Sequence, residues 1–257
     1  LSHHLLEAIQ LVHRYPDGTE ALRGLDFCIR HGESVALVGA NGAGKSTLLQ
    51  HLNGTLLATS GSVRIGGVPV CKATLRDIRR SVGMVFQDPD DQLFMPTVFE
   101  DVAFGPRNQG LPEAEVEARV QGALARVELG HLAQKPPFRL SGGEKRRAAI
   151  ATVLSMSPDV LVMDEPSAGL DPRSRRQLIE LLKAFPHTRL IASHDLDLVL
   201  DLCERTLVLH QGKIYADGPT AEIFADEALL EACHLEKPFR MQGCPVCGKG
   251  GGGVAAF

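Results

Sequence analysis

Residues Gly39 to Thr47 read GANGAGKST, with glycines, one lysine and two hydroxyls at fixed spacing behind a short apolar run, SVALV. The pattern G-x-x-x-x-G-K-[ST] at a strand-to-helix junction is a phosphate cradle. Gly42 and Gly44 lack a Cβ, so the backbone can wrap closely round a phosphate and aim its N–H groups inward. The N-terminus of the following helix adds partial positive charge. Lys45 brings a full charge to the β- and γ-phosphates, and Ser46 offers a hydroxyl to Mg²⁺. With Gly39, Ala40, Asn41, Ala43 and Thr47 completing the loop, these residues predict a nucleoside-triphosphate site.

A second group follows downstream. DVLVMDEP (Asp159 to Pro166) is an apolar strand that ends in two carboxylates. Asp164 is placed to hold the Mg²⁺, and Glu165, one residue on, points differently and can polarise an attacking water. Between these groups, RLSGGEKRRAAIA sets Ser141, Gly142, Gly143 and Glu144 at the start of a basic helix, a second anion-binding N-terminus. One triphosphate cannot easily occupy both sites in one domain. The second is therefore expected to complete another subunit's site, in a head-to-tail dimer over two nucleotides. For an isolated SGG the alternative is a plain N-cap with no ligand.

The elements that position these groups alternate. LEAIQLVHRY, a turn at PDGTE and LRGLDFCIRHGE read as a β-rich opening; SVALVG is a buried strand, and KSTLLQHLNG a helix. GSVRIGG is a strand, and LRDIRRSVGMVFQ a helix leading into a strand. From Pro96 to about Leu129 the pattern is helical, with Pro112 at a helix start and Val116, Val120, Leu124 and Val127 on one face. SGGEKRRAAIATVLS, DVLVMDE, RSRRQLIELLKAF, TRLIAS and LDLVLDLCE then alternate helix and strand, which implies an α/β fold, a parallel sheet with helices on both faces. TLVLHQGKIYADG reads as a small β-unit, PTAEIFA as a short helix, and the last twenty residues as a flexible tail.

Composition bounds the class. A chain of 257 residues with 44% apolar and 23% charged residues fits one α/β domain with a subdomain or tail. A net charge of −4 argues against a nucleic-acid partner, which calls for a basic face. No run approaches the length of a membrane span, and Glu7 interrupts the only apolar run near the N-terminus, so the chain is expected in the cytosol. Cys28, Cys71 and Cys203 read as small buried hydrophobes.

With these motifs in this order, the chain resembles the ATP-binding-cassette ATPases from about Leu5 to Phe224. The resemblance implies a P-loop NTPase with a RecA-like parallel-sheet core, an N-terminal antiparallel β-subdomain and an inserted helical signature subdomain near 88–157. The cassette would occupy 1–225, and 226–257 would form a C-terminal helix and a Cys/Gly-rich tail. It implies ATP and Mg²⁺ as ligands, Tyr15 as the aromatic that stacks on adenine, and His194 as the switch histidine near the γ-phosphate. SAGLD would be the loop through which Asp171 serves dimer communication. Most members carry Gln where this chain has Glu144, a small departure because the anion contacts come from Ser141 and the glycine backbone.

The stretch FQDPDDQLFMPTVFEDVAFGP closely resembles the Q-loop region of energy-coupling-factor importers, including cobalt and nickel systems. That likeness implies that Gln87 contacts the Mg²⁺ or the attacking water, and that the Phe-rich part forms a groove for an integral membrane subunit. It also makes a metal-site reading of Asp88, Asp90 and Asp91 unnecessary, since Asp164 and Ser46 account for the Mg²⁺. A transition-metal importer is the first expectation, acting at the cytoplasmic face of the membrane as a homodimer, because the motif set is complete. A vitamin importer and a soluble cassette ATPase are the alternatives; about fifty residues between Gln87 and the signature leave no room for a repair-type coiled coil. In the tail, Cys244 and Cys247 form a C-x-x-C pair downstream of Cys233 and His234, a possible tetrahedral site for a soft metal ion.

Overall fold

The computed structural model describes residues 4–242. The chain opens with two long strands, β1 (His4–Arg14) and β2 (Glu20–Arg30), joined by the PDGTE turn. β3 (Ser34–Val38) leads through the glycine-rich loop into α1 (Lys45–Leu52). β4 (Ser60–Ile65), β5 (Val68–Pro69), α2 (Leu75–Ser81) and β6 (Val82–Val85) follow. Three helices come next: α3 (Val98–Asn108), α4 (Glu113–Arg126) and α5 (Gly142–Leu154). The chain continues with β7 (Val160–Asp164), α6 (Pro172–Lys183), β8 (Thr188–Ala192) and α7 (Leu196–Leu202). It closes with β9 (Arg205–His210), β10 (Lys213–Pro219), α8 (Thr220–Ala225) and α9 (Glu227–Ala232).

Two sheets result. β2-β1-β4-β5 is antiparallel throughout, and β10-β9-β3-β8-β7-β6 is parallel except for β10, which pairs antiparallel on the edge. The parallel strands are buried on both faces, and their residues alternate between two cores, as a period of two requires. Val35, Leu37, Val160, Val162, Leu190 and Leu207 point into a core shared with the antiparallel sheet and α1. Ala36, Val38, Leu161, Met163, Ile191 and Val208 point the other way, into a core shared with α3 to α9.

This arrangement is the α/β P-loop fold that the resemblance implied, with three corrections in detail. One face of the parallel sheet is covered by the antiparallel sheet together with α1 and α2, not by helices alone. TLVLHQGKIYADG is not a separate unit, because β9 pairs with β3 inside the central sheet. Cys203 is buried, but Cys28 is half-buried and Cys71 exposed, since Cys71 falls in the turn before α2 and not in a core element. α4 places Val116, Val120 and Leu124 inward as expected; it ends at Arg126, so Val127 is buried from the C-cap position.

Candidate active site

The cradle is built where β3 stops and α1 starts. Gly39 lies so close to β9 that a Cβ there would sit 2.3 Å from the Leu209 carbonyl oxygen. Gly44, the residue before α1, has φ 107°, a left-handed conformation that glycine adopts without strain. The first turn of α1 carries no acid of its own to offset its positive end. The nearly buried Lys45 donates from Nζ to the carbonyls of Gly39 at 2.6 Å and Ala40 at 3.3 Å, which pins the ammonium inside the loop. Ala43 turns its methyl group into the core and donates its N–H to Ala40, so it contributes packing.

Two buried carboxylates face the cradle from the end of β7. Burial pushes the Asp164 carboxyl above its ordinary range; the Ser46 hydroxyl bonded to it opposes that, Glu165 adds to it, and Lys45 and Arg146 oppose it. Glu165 has φ 46°, a left-handed conformation unusual for a side-chain-bearing residue, and its N–H donates to Ala192 on β8 at 2.8 Å. Its Oε2 accepts from the Ser193 hydroxyl at 3.3 Å and from the His194 N–H at 3.1 Å, and lies 2.7 Å from Nδ1 of His194.

These groups share one open cleft of about 870 Å³, ample for a nucleotide. Lys45, Ser46, Gln87, Asp164, Glu165 and His194 line its phosphate end, together with Asn41, Gly42 and Gly44. Tyr15 and Thr47 line the cleft as well, with the Tyr15 hydroxyl 3.0 Å from Thr47 Oγ1. Gly39 and Ala40 face an adjoining cleft. Ser46, Asp164 and Gln87 offer oxygen donors only, a set that suits a hard cation such as Mg²⁺. Thr19, Glu20, Arg23, Gln211 and Gly212 also line the cleft and carry no motif that could have announced them.

The SGG loop lies elsewhere. Ser141, Gly142, Gly143 and Glu144 do not line the cleft. Ser141 and Glu144 form a capping box at the start of α5, with Ser141 N–H donating to Glu144 at 2.7 Å, a role that Gln could also fill. Asp171 caps α6, accepting from the N–H groups of Arg173 and Ser174 and the Ser174 hydroxyl. A Cβ on Gly143 would meet that same hydroxyl at 2.9 Å, so α5 and α6 start in contact.

Residues 86–92 are fastened to α5 by groups that sequence reasoning passed over. The buried Arg146 donates to the carbonyls of Phe86 at 2.9 Å and Gln87 at 2.7 Å. Gln92 accepts from Phe86 N–H and donates to Ala149 and Thr152. Lys145 pairs with Asp90 at 2.6 Å, and Asp88 accepts from the Asp90 N–H, so these acids have structural partners. Their only signal was a run of basic residues, which usually marks a solvated helix face. Just beyond, Phe94 and Phe104 are exposed and meet edge to face at 5.0 Å.

Of the tail residues, Cys233 is buried in the helical core, where burial pushes its thiol up, and His234 lies beside it. Cys244 and Cys247 fall outside the described residues. Among the described residues no cluster of three or more His, Cys, Asp or Glu could hold a metal ion. No helix among them is long and apolar enough to cross a membrane.

Comparison with known proteins extends this geometry. The family model described as ABC transporter matches residues 22–168. A putative ABC transporter ATP-binding protein of Geobacter sulfurreducens is 68% identical, over 97% of this chain and 100% of its own length. The energy-coupling factor transporter ATP-binding protein EcfA of Methanosphaera stadtmanae is 49% identical, over 91% of this chain and 86% of its own. Among solved structures, cbiO1 of Clostridium perfringens, part of the ABC transporter complex cbiONQ, superposes with a TM-score of 0.78 at 42% identity. That match covers 90% of this chain and 94% of cbiO1.

Proposed function

Because the chain belongs to the ABC transporter family, we propose that it is the ATP-hydrolysing subunit of an energy-coupling-factor importer for a transition-metal ion, cobalt or nickel. Two copies close head to tail over two ATP molecules, and separate membrane subunits carry the ion. The likeness to EcfA and cbiO1 supports the importer class. The Q-loop sequence supports the metal substrate.

The observation that carries the reading is a divided site. The cradle, Asp164 and Glu165 converge on one cleft, and the SGG loop lies outside it, on the helix that holds the Gln87 segment. Each copy then supplies Ser141 and the N–H groups of Gly142 and Gly143 to the triphosphate of the other, and Asp171 orders the loop between them.

In that assembly Tyr15 stacks on adenine, while the loop N–H groups and Lys45 hold the β- and γ-phosphates. Ser46, Asp164 and Gln87 hold Mg²⁺, which when bound neutralises charge on the phosphate oxygens. Glu165 orients a water and takes its proton as the water oxygen bonds to the γ-phosphorus. The bond to the bridging oxygen breaks, leaving ADP and phosphate. His194, hydrogen-bonded to Glu165, steadies the carboxylate and reaches the γ-phosphate. Gln87 senses the change, and Arg146 carries it to α5. The exposed Phe94–Phe104 pair offers the apolar seat for a membrane subunit at the cytoplasmic face.

The test is reconstitution with candidate membrane subunits in vesicles. ATP-driven accumulation of cobalt or nickel, lost with Glu165→Gln, is the expected result. Vitamin uptake without metal uptake would move the substrate to the other importer class, and ATP hydrolysis indifferent to any membrane subunit would remove transport.

A further inference from the structure

Beside Tyr15 in the cleft wall, four residues close a circuit between the end of β1 and α1. The Tyr15 hydroxyl lies 3.0 Å from Thr47 Oγ1. The Tyr15 ring is met edge-on by His13, with centroids 4.6 Å apart and planes at 86°. His13 Nδ1 lies 3.2 Å from Nε2 of His51, and His51 Nδ1 lies 2.7 Å from the carbonyl oxygen of Thr47. Both histidines are buried, His51 at 1% exposure and His13 at 7%.

The acceptors assign the protons. A carbonyl oxygen only accepts, so the His51 proton sits on Nδ1 and its Nε2 is an acceptor. His13 therefore donates from Nδ1, and its Nε2 is left as a buried acceptor without a partner among the described residues. Burial also holds the His51 imidazole below its usual range, which keeps Nε2 free to accept. An orphaned nitrogen in a packed interior is unfavourable. A phenylalanine at position 13 would fill the same space and avoid it. What histidine adds there is the donor to His51.

We propose that His13 and His51 are positioning residues for the purine, fixing the Tyr15 ring at one distance from the phosphate cradle. Base and triphosphate then meet their contacts together, with no reorganisation on binding. Thr47 is the shared anchor, since its hydroxyl holds the phenol and its carbonyl holds His51. The inference rests on the reading of Tyr15 as the adenine platform.

Calorimetry of the full chain with Mg–ATP and with Mg–tripolyphosphate tests it, because the second ligand has the phosphates and no base. His13→Phe keeps the aromatic edge and removes the donor. It is expected to weaken ATP about five- to tenfold, the scale of one lost hydrogen bond, and to leave tripolyphosphate unchanged. In a Tyr15→Ala background the same substitution has no further effect on ATP. His13→Asn, which keeps a donor at the Nδ1 position, retains most of the ATP affinity. Equal weakening of both ligands, or an undiminished effect without Tyr15, overturns the proposal. If Tyr15→Ala alone leaves ATP binding unchanged, the platform reading fails and the proposal falls with it.

Discussion

Oε2 of Glu165 lies 2.7 Å from Nδ1 of His194 and accepts the backbone N–H of the same residue at 3.1 Å. With the Ser193 hydroxyl, three donors from the end of β8 converge on one carboxylate oxygen, while Oε1 carries no hydrogen bond among the described residues. The left-handed backbone at Glu165 and its N–H bond to Ala192 hold the side chain in that grip. The chain itself thus fixes the orientation of the carboxylate, which is what the role of general base proposed for it requires.

Replacing Glu165 by Gln keeps the size and one acceptor oxygen, which can take the place of Oε2 among its three donors, and removes the basicity. Turnover is expected to fall by about 10²- to 10⁴-fold, with ATP binding retained and a closed, ATP-bound dimer accumulating. Phosphate release and size-exclusion chromatography with light scattering read the two effects. Near-normal hydrolysis would take the base assignment away from Glu165.

Lys45→Ala removes the only full positive charge inside the cradle loop. The loop fold should survive, since Gly39 and Gly44 set its path and the ammonium adds only two bonds to it. ATP affinity is expected to drop about hundredfold or more, the scale of truncating one partner of a buried charge pair. Calorimetry gives the answer directly, and unchanged affinity would show that backbone N–H groups alone hold the phosphates.

The cradle was legible because phosphate chemistry ties residue type and spacing together within nine consecutive positions, at a junction whose strand and helix have clear periods. The two carboxylates of Asp164 and Glu165 were legible for the same local reason. Contacts between distant positions were not. Arg146 meets carbonyls 60 and 59 residues away, and nothing in KRR distinguishes the buried arginine from its half-buried neighbours. The His13–His51 bond spans 38 residues and joins a strand of one sheet to a helix beside the other. β9 was visible as a strand, but its apolar run does not name β3 as its neighbour.

Arg146→Met should reveal that missed connection. It preserves the aliphatic stem and leaves the partly buried carbonyls of Phe86 and Gln87 without the arginine donor, a loss of about 2–4 kcal/mol. The midpoint of urea denaturation should fall accordingly. Arg146→Lys should recover little, because a single ammonium cannot reproduce a planar fork that reaches two carbonyls. Full recovery by lysine would show that charge matters there and geometry does not.

Asp101 makes a separate claim about pH. It is buried on α3, where one oxygen accepts the N–H groups of Phe94 and Met95 and the other has no partner among the described residues. Burial raises its carboxyl above the ordinary value, and the two N–H donors only partly oppose that. The folded chain therefore keeps this proton to a higher pH than the unfolded chain does. Between the two values the native state binds more protons, so the contribution to stability is greatest in acid and is lost as pH rises through the folded value. Asp101→Asn retains the oxygen acceptor for Phe94 and Met95 and titrates nothing. The stability of the Asn variant minus that of the parent should consequently grow as pH rises from the ordinary aspartate range, and then level off above the folded value. Urea titrations of both proteins across that range measure the difference. Parallel curves would mean that the carboxyl ionises in the folded chain as it does in the unfolded one, and that the turn carrying Phe94 is held by an ordinary aspartate.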